Sequence, residues 1–172
     1  MKVNEIFLSV QGEGLSSGFP TIFVRFTGCN LRCSYCDTTY SYNDGVEMPP
    51  EDILKEIKKL HYKRVCLTGG EPLLQEDIEK LLKMLYDYTV TIETNGSVRL
   101  DSLDLSNRKY SFVMDMKTPS SGFSGEMVLE NFKLLESRDE IKFVIGDRED
   151  YEWSKNIILN HYKKGTITFS PV

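Results

Sequence analysis

The sequence predicts an α/β domain built as an open, partial parallel β/α barrel of about six strands with a leading N-terminal strand. Three observations carry that expectation. Short runs rich in β-branched and aromatic residues alternate with segments of helical period. The intervals between strands, roughly 20 to 40 residues, suit right-handed βαβ crossovers. The chain has 172 residues, too few for a closed eight-unit barrel, which typically needs about 250.

The leading strand is Glu5–Val10. The six that follow are Thr21–Phe26, Arg64–Thr68, Thr89–Glu93, Ser111–Met116, Glu140–Ile145 and Thr166–Ser170, bounded by Gly, Pro, Asn or Asp. Between them, Pro50–Leu60 places Ile53, Leu54, Ile57 and Leu60 on one face, and Pro50 suits a first helical turn, where its missing N–H costs nothing. Glu76–Tyr86 repeats the pattern with Ile78, Leu81, Leu82 and Leu85, and Met127–Leu135 and Glu149–Tyr162 complete the helices. His61 and His161 each end a helical pattern, where histidine complements the helix dipole, so both read as structural. No linker, low-complexity tract or repeat interrupts residues 1–172, which read as one domain. The chain stops at Ser170–Pro171–Val172 directly after a strand. Either the protein is unusually short or the sequence is cut at its C-terminus, and an uncovered last strand would want a partner.

Hydrophobic residues make up 40% and charged residues 27%, so disorder is not indicated. A net charge of -5 speaks against a duplex nucleic-acid surface, which would need a basic face. No apolar run approaches a membrane span, and Met1 leads straight into a strand-like segment without a signal peptide. A cytoplasmic location follows as an expectation, with thiols kept reduced for metal chemistry.

Cys29, Cys33 and Cys36, spaced C-x3-C-x2-C after a strand, are the densest signal in the chain. Three thiolates are one too few for a closed structural zinc site. They are the right number for a [4Fe–4S] cluster with one iron left open to an exogenous ligand. No Cys or His pair elsewhere has zinc-ribbon spacing, and Cys66, inside Val65–Cys66–Leu67, reads as a core thiol.

Other polar motifs collect at the C-terminal ends of the same strands. Gly28–Asp37, Thr68–Gly69–Gly70–Glu71–Pro72, Glu93–Thr94–Asn95–Gly96, Asp115–Met116–Lys117–Thr118–Pro119 and Ser170–Pro171 each close a strand, the face where barrel active sites lie. Gly69 and Gly70 let a ligand approach the backbone, and Glu71 offers a carboxylate suited to a ligand ammonium group. Taken alone, that motif serves equally as a strand-to-helix turn. Gln11–Gly12–Glu13–Gly14 reads as a substrate-contacting loop or a bare turn; lacking a following Lys-Ser/Thr, it is no P-loop. Asp37–Thr38 offers hard oxygen ligands suited to Mg²⁺, or a helix cap. Arg25 reads as an anion contact because it precedes the cysteines by four residues, whereas Lys142 stays open between a mouth residue and an edge charge.

The cysteine spacing followed by Gly-Gly-Glu-Pro resembles the radical S-adenosylmethionine (radical SAM) superfamily. Glu5–Ile6–Phe7 with Val10–Gln11–Gly12–Glu13–Gly14, Phe23–Val24–Arg25–Phe26 leading to Gly28–Cys29–Asn30–Leu31–Arg32–Cys33, and Cys36–Asp37–Thr38 narrow the resemblance to the 7-carboxy-7-deazaguanine synthase family. It runs from about Glu5 to Pro171. The chain departs from the family pattern at Asp115–Met116–Lys117, where members often carry Ser-Pro-Lys, and in lacking the segment that usually follows Ser-Pro-Val.

That resemblance implies that Cys29, Cys33 and Cys36 hold the [4Fe–4S] cluster, and that Tyr35, Cys36, Asp37, Gly70, Glu71, Glu93, Asp115, Met116 and Lys117 line S-adenosylmethionine. It places Val10, Gln11, Gly12, Arg25 and Thr68 against a pterin substrate and Thr38 on a Mg²⁺ ion that also holds it. The implied reaction is cleavage of the sulfonium to a 5′-deoxyadenosyl radical, hydrogen abstraction from carbon 6 of 6-carboxy-5,6,7,8-tetrahydropterin, ring contraction and loss of ammonia. Such a lyase serves queuosine or archaeosine precursor synthesis, takes electrons from a flavodoxin- or ferredoxin-type donor, and is expected as a homodimer. Two other readings stand beside it: a glycyl-radical-enzyme activase, and a non-catalytic iron–sulfur electron carrier.

Overall fold

Alternation of side chains along each strand decides how this sheet is built. A computed structural model describes all 172 residues. It places eight strands in one sheet: β1 (Lys2–Val10), β2 (Pro20–Phe26), β3 (Val46–Glu47), β4 (Arg64–Gly69), β5 (Thr89–Thr94), β6 (Ser111–Met116), β7 (Glu140–Ile145) and β8 (Thr166–Pro171). Their spatial order is β3-β1-β2-β4-β5-β6-β7-β8. The six from β2 through β8 that exclude β3 run parallel, as expected. The leading strand β1 pairs antiparallel with β2, and the two-residue β3, which no sequence signal announced, pairs antiparallel with β1. The sheet is open: β3 and β8 are its edges.

On one face Phe23, Arg25, Thr68, Thr91, Glu93, Val113, Asp115, Glu140 and Lys142 surround a central lumen. The residues between them, including Ile22, Val24, Val65, Leu67, Ile92, Met114, Ile141 and Phe143, turn to the opposite face and form the apolar core. A period of two makes this division automatic once one residue of a strand is placed.

Three α-helices join the strands: α1 (Pro50–Lys59), α2 (Ile78–Met84) and α3 (Arg148–His161). Helix α1 starts at Pro50, carries Glu51 and Asp52 in its first turn and Lys58 and Lys59 in its last, and buries Ile53 and Ile57. Each isoleucine so buried contributes about 1.5–3 kcal/mol. His61 ends this helix in the left-handed region (φ 52°) with its N–H on the Lys58 carbonyl. The Asp147 carboxylate caps α3 by accepting from Asp150 N–H at 2.9 Å.

The helix predicted over Met127–Leu135 is instead a short 3₁₀ segment, Leu129–Lys133. Tertiary bonds explain the correction. The buried Asn131 side chain accepts from Leu100 N–H at 3.0 Å and donates to the Val98 carbonyl at 2.9 Å, while Val128 N–H is taken by the Gly96 carbonyl. Those partners hold the segment in a path that a continuous α-helix cannot follow.

At the N-terminal end of the parallel strands, Arg108 and Asp139 form a buried bidentate pair. Asp139 also accepts from Phe112 N–H at 2.9 Å and Glu136 N–H at 2.6 Å, so this charge pair fastens β6 to β7 away from the cysteines.

Candidate active site

The strand ends that position the cysteines interlock through backbone. Gly28 leaves β2 in a left-handed conformation (φ 96°), and its carbonyl accepts from Glu71 N–H at 2.8 Å. Gly70 N–H donates to the Phe26 carbonyl at 3.0 Å. A Cβ at Gly70 would overlap the Gly28 carbonyl, so only glycine allows the two turns to touch.

Cys29, Cys33 and Cys36 are all free thiols, partly exposed, and line one cavity of about 620 Å³ on the sheet's concave face. Leu31 N–H points at Cys29 Sγ at 3.4 Å and Asn95 Nδ2 at 3.6 Å. No group of three or more His, Cys, Asp or Glu side chains closes on a point a single metal ion could occupy. Burial pushes the Cys33 thiol up, opposed by the Lys117 ammonium. Cys66 is wholly buried on the Thr68 side of β4 beside Glu93, and burial followed by the Glu93 carboxylate holds its thiol far above the ordinary value.

Two buried polar atoms in residues lining this cavity have no hydrogen-bond partner: the Tyr35 hydroxyl and Asp115 Oδ1. The Thr118 hydroxyl near Tyr35 donates to the Val144 carbonyl at 2.8 Å instead. Buried polar groups are rarely left unpaired, so these two fit a polar ligand filling the cavity beside the cysteines. Lys117 Nζ lies 2.9 Å from Asp115 Oδ2. Burial alone would lower that ammonium, but the Asp115 carboxylate outweighs it and the group stays charged well above its usual range.

Across the cavity, Glu93 accepts from Gln11 Nε2 at 2.9 Å and from Thr68 Oγ1 at 2.8 Å. Glu93 is thereby held between Gln11 and Thr68 on the wall of the same cavity. Arg25 Nε pairs with Glu5 Oε1 at 2.8 Å, and the Tyr40 hydroxyl donates to the same oxygen at 3.2 Å. Lys142 pairs with Glu13 and lines the cavity, which settles its orientation inward. Thr38 Oγ1 donates to Asp37 Oδ1 at 3.2 Å, and both line the cavity. Thr38 precedes a 3₁₀ turn, Thr39–Tyr42, without any side-chain capping bond, so capping does not account for it.

Four expected site residues present no side chain to this space. Glu71 is wholly buried. Its carboxylate accepts from Leu73 N–H at 3.0 Å, Thr94 Oγ1 at 2.9 Å and Asn95 N–H at 2.7 Å, which ties the end of β4 to that of β5 and holds the group behind the cavity wall. Met116 falls on the core side because it alternates with Asp115 and Lys117. Val10 is 58% exposed and, like the exposed Gly12, lies off the cavity wall that their neighbours Gln11 and Glu13 form. His61 and His161 lie outside the cavity, the latter against the Phe132 ring. Asn95 and Glu140 were missed as individual site residues. Asn95 sits in a motif that was noticed, whereas Glu140 shares with Lys142 the spacing of two that marks one strand face.

Known proteins resemble this chain in sequence and in fold. The family model described as the radical SAM superfamily matches residues 23–120. A 7-carboxy-7-deazaguanine synthase of Methanospirillum hungatei is 46% identical over 178 residues, covering 100% of this chain and 73% of the relative. One of Clostridium acetobutylicum is 46% identical over 179 residues, covering 99% and 81%. Among solved structures, QueE from Escherichia coli superposes with a TM-score of 0.83 over 99% of this chain and 84% of that one, at 24% identity, a likeness of fold.

Proposed function

The chain belongs to the radical SAM superfamily and, within it, to the 7-carboxy-7-deazaguanine synthases, and from that premise we propose how its residues serve the reaction. The enzyme converts 6-carboxy-5,6,7,8-tetrahydropterin to 7-carboxy-7-deazaguanine with ring contraction and loss of ammonia. Bound at the cysteines, a [4Fe–4S] cluster with S-adenosylmethionine supplies the one-electron chemistry that removes a hydrogen atom from the substrate.

The protein's own part is binding, orientation and exclusion of water. Cys29, Cys33 and Cys36 hold the cluster, with the Leu31 and Asn95 N–H donors steadying the charge on Cys29. Next to them, the unpaired Tyr35 hydroxyl and Asp115 Oδ1 take polar groups of S-adenosylmethionine, with Asp37, Lys117 and the exposed backbone of Gly70 completing that side. Glu71 contributes by holding the Gly69–Gly70 turn against Asn95 rather than by contact.

On the far side, the Glu93 carboxylate accepts and the Gln11 amide beside it keeps a second N–H to donate, the mixed pattern needed to hydrogen-bond the edge of a pterin ring. Arg25 and Lys142 supply positive charge suited to the substrate carboxylate. Fixing one C–H in a near-attack position is what such a shell achieves, and misplacement there costs rate steeply. Thr38 and Asp37 offer hard oxygens for Mg²⁺ beside the cysteine loop. The external donor is a flavodoxin- or ferredoxin-type protein. Assembly as a homodimer belongs to the same proposal.

One observation carries this reading: three free thiols and the Gln11–Glu93–Thr68 cluster face a single cavity. The test is anaerobic reconstitution with reductant, Mg²⁺, S-adenosylmethionine and the carboxytetrahydropterin, followed by mass spectrometry. Release of the deazaguanine supports it. Formation of 5′-deoxyadenosine without deazaguanine transfers the case to the activase class, and a stable cluster with neither product transfers it to an electron carrier.

A further inference from the structure

Strand pairing does not close this barrel, because the sheet ends at β3 on one side and β8 on the other. A chain segment crosses the gap instead. After β1, residues 11–16 reach across the lumen to β7 before the chain returns as β2. Leu15 N–H donates to Glu140 Oε2 at 2.8 Å, the Glu13 carboxylate pairs with Lys142, and Gln11 Nε2 reaches Glu93.

Glu140 is the buried end of this strap, 3% exposed. Its other oxygen, Oε1, accepts from Thr168 Oγ1 on β8 at 2.9 Å. Both carboxylate oxygens are thus engaged, one by the strap and one by β8. Gly14 supplies an independent observation. Its backbone lies so close that a Cβ would overlap both Glu140 carboxylate oxygens, and its φ of 66° is one that L side chains rarely adopt. The glycine at this point of the strap is therefore shaped around Glu140.

We infer that Glu140 is a positioning residue that clamps the Gln11–Ser16 strap onto β7 and β8, and thereby presents Gln11 and Glu13 to the substrate. It touches neither the cysteines nor Glu93. Its contribution falls on substrate affinity and leaves the hydrogen-transfer step alone. This rests on reading the cavity as the pterin site.

The test uses the reconstituted holoenzyme and three variants. Glu140→Ala removes both acceptors, and loss of buried hydrogen bonds of this kind corresponds to roughly a ten- to hundredfold rise in KM for the pterin, with kcat and the KM for S-adenosylmethionine held. Glu140→Gln keeps a carbonyl oxygen for Leu15 N–H and an amide for the Thr168 hydroxyl, so it restores KM to near the parent value. Gly14→Ala leaves Glu140 in the chain but puts a methyl where its carboxylate lies, so the carboxylate must swing off Leu15 N–H, and KM rises as in Glu140→Ala; it decides the matter if Glu140→Ala fails to fold. Hydrogen exchange without substrate, read at residues 11–16, rises in Glu140→Ala and Gly14→Ala and not in Glu140→Gln. Unchanged exchange and KM in both disruptive variants overturns the inference, as does a Glu140→Gln enzyme as impaired as Glu140→Ala. If the parent protein makes no deazaguanine, the substrate reading fails, while the exchange experiment still judges the clamp.

Discussion

Glu71 ought to leave a pH signature on stability that its neighbours do not share. Burial of its carboxyl is complete and pushes it up from 4.5 to about 7, although Asn95 N–H, Leu73 N–H and the Thr94 hydroxyl donate to it and the Lys117 ammonium pulls the other way. Between those two values the folded state holds a proton that the unfolded chain has released. Its stabilising contribution is thus fully present below about pH 4.5 and is lost as the pH climbs through 7. At about 1.36 kcal/mol per pH unit the whole gap is worth about 3 kcal/mol, of which about 2–3 kcal/mol falls between pH 5 and pH 8. Glu71→Gln removes the titration while keeping the volume. It forfeits one acceptor, so one of Leu73 N–H and Asn95 N–H goes unpaired at a cost of about 1–3 kcal/mol. Urea unfolding of reduced, cluster-free protein at several pH values measures both terms. The stability of the parent relative to Glu71→Gln should decline by about 2–3 kcal/mol over that range. Parallel profiles for the two proteins would refute the reasoning.

Three further outcomes are expected. Asp139→Ala strands the buried Arg108 guanidinium and two backbone N–H groups, and should destabilise by about 3–5 kcal/mol; a loss below about 1 kcal/mol in urea unfolding would show that the pair is not load-carrying in the sense argued. Gly70→Ala drives a methyl into the Gly28 carbonyl, at an overpacking cost of about 1–3 kcal/mol, and should lower iron incorporation on reconstitution, whereas Gly125→Ala, which meets open space, should not. Normal iron content in both would dismiss the interlock of the two turns. Thr38→Ala should weaken the Mg²⁺ dependence of activity with cluster assembly intact, and an unaltered metal response removes Thr38 from that role.

Much of this molecule is written locally in its chain. The six parallel strands and helices α1 and α3 follow from short-range period and, for α1, from punctuation by Pro50 and His61, because side-chain direction along a strand or helix depends only on near neighbours. Cys29, Cys33 and Cys36 lie within eight residues on one loop, so their joint use needed no knowledge of distant partners. Tertiary structure decided the rest. Period two says that Asp115 and Met116 face opposite ways, but only the packed sheet says which of them meets the lumen. Glu71 looked like a ligand contact until its carboxylate was found spent on Thr94 and Asn95 of the next strand. Asn131 drew residues 129–133 out of α-helix by bonds to Val98 and Leu100. The union of Gln11 with Glu93, and of Leu15 with Glu140, joins positions 82 and 125 residues apart. Such pairs depend on strand register and on where an open sheet leaves its gap, and these arise only when every strand has found its neighbour.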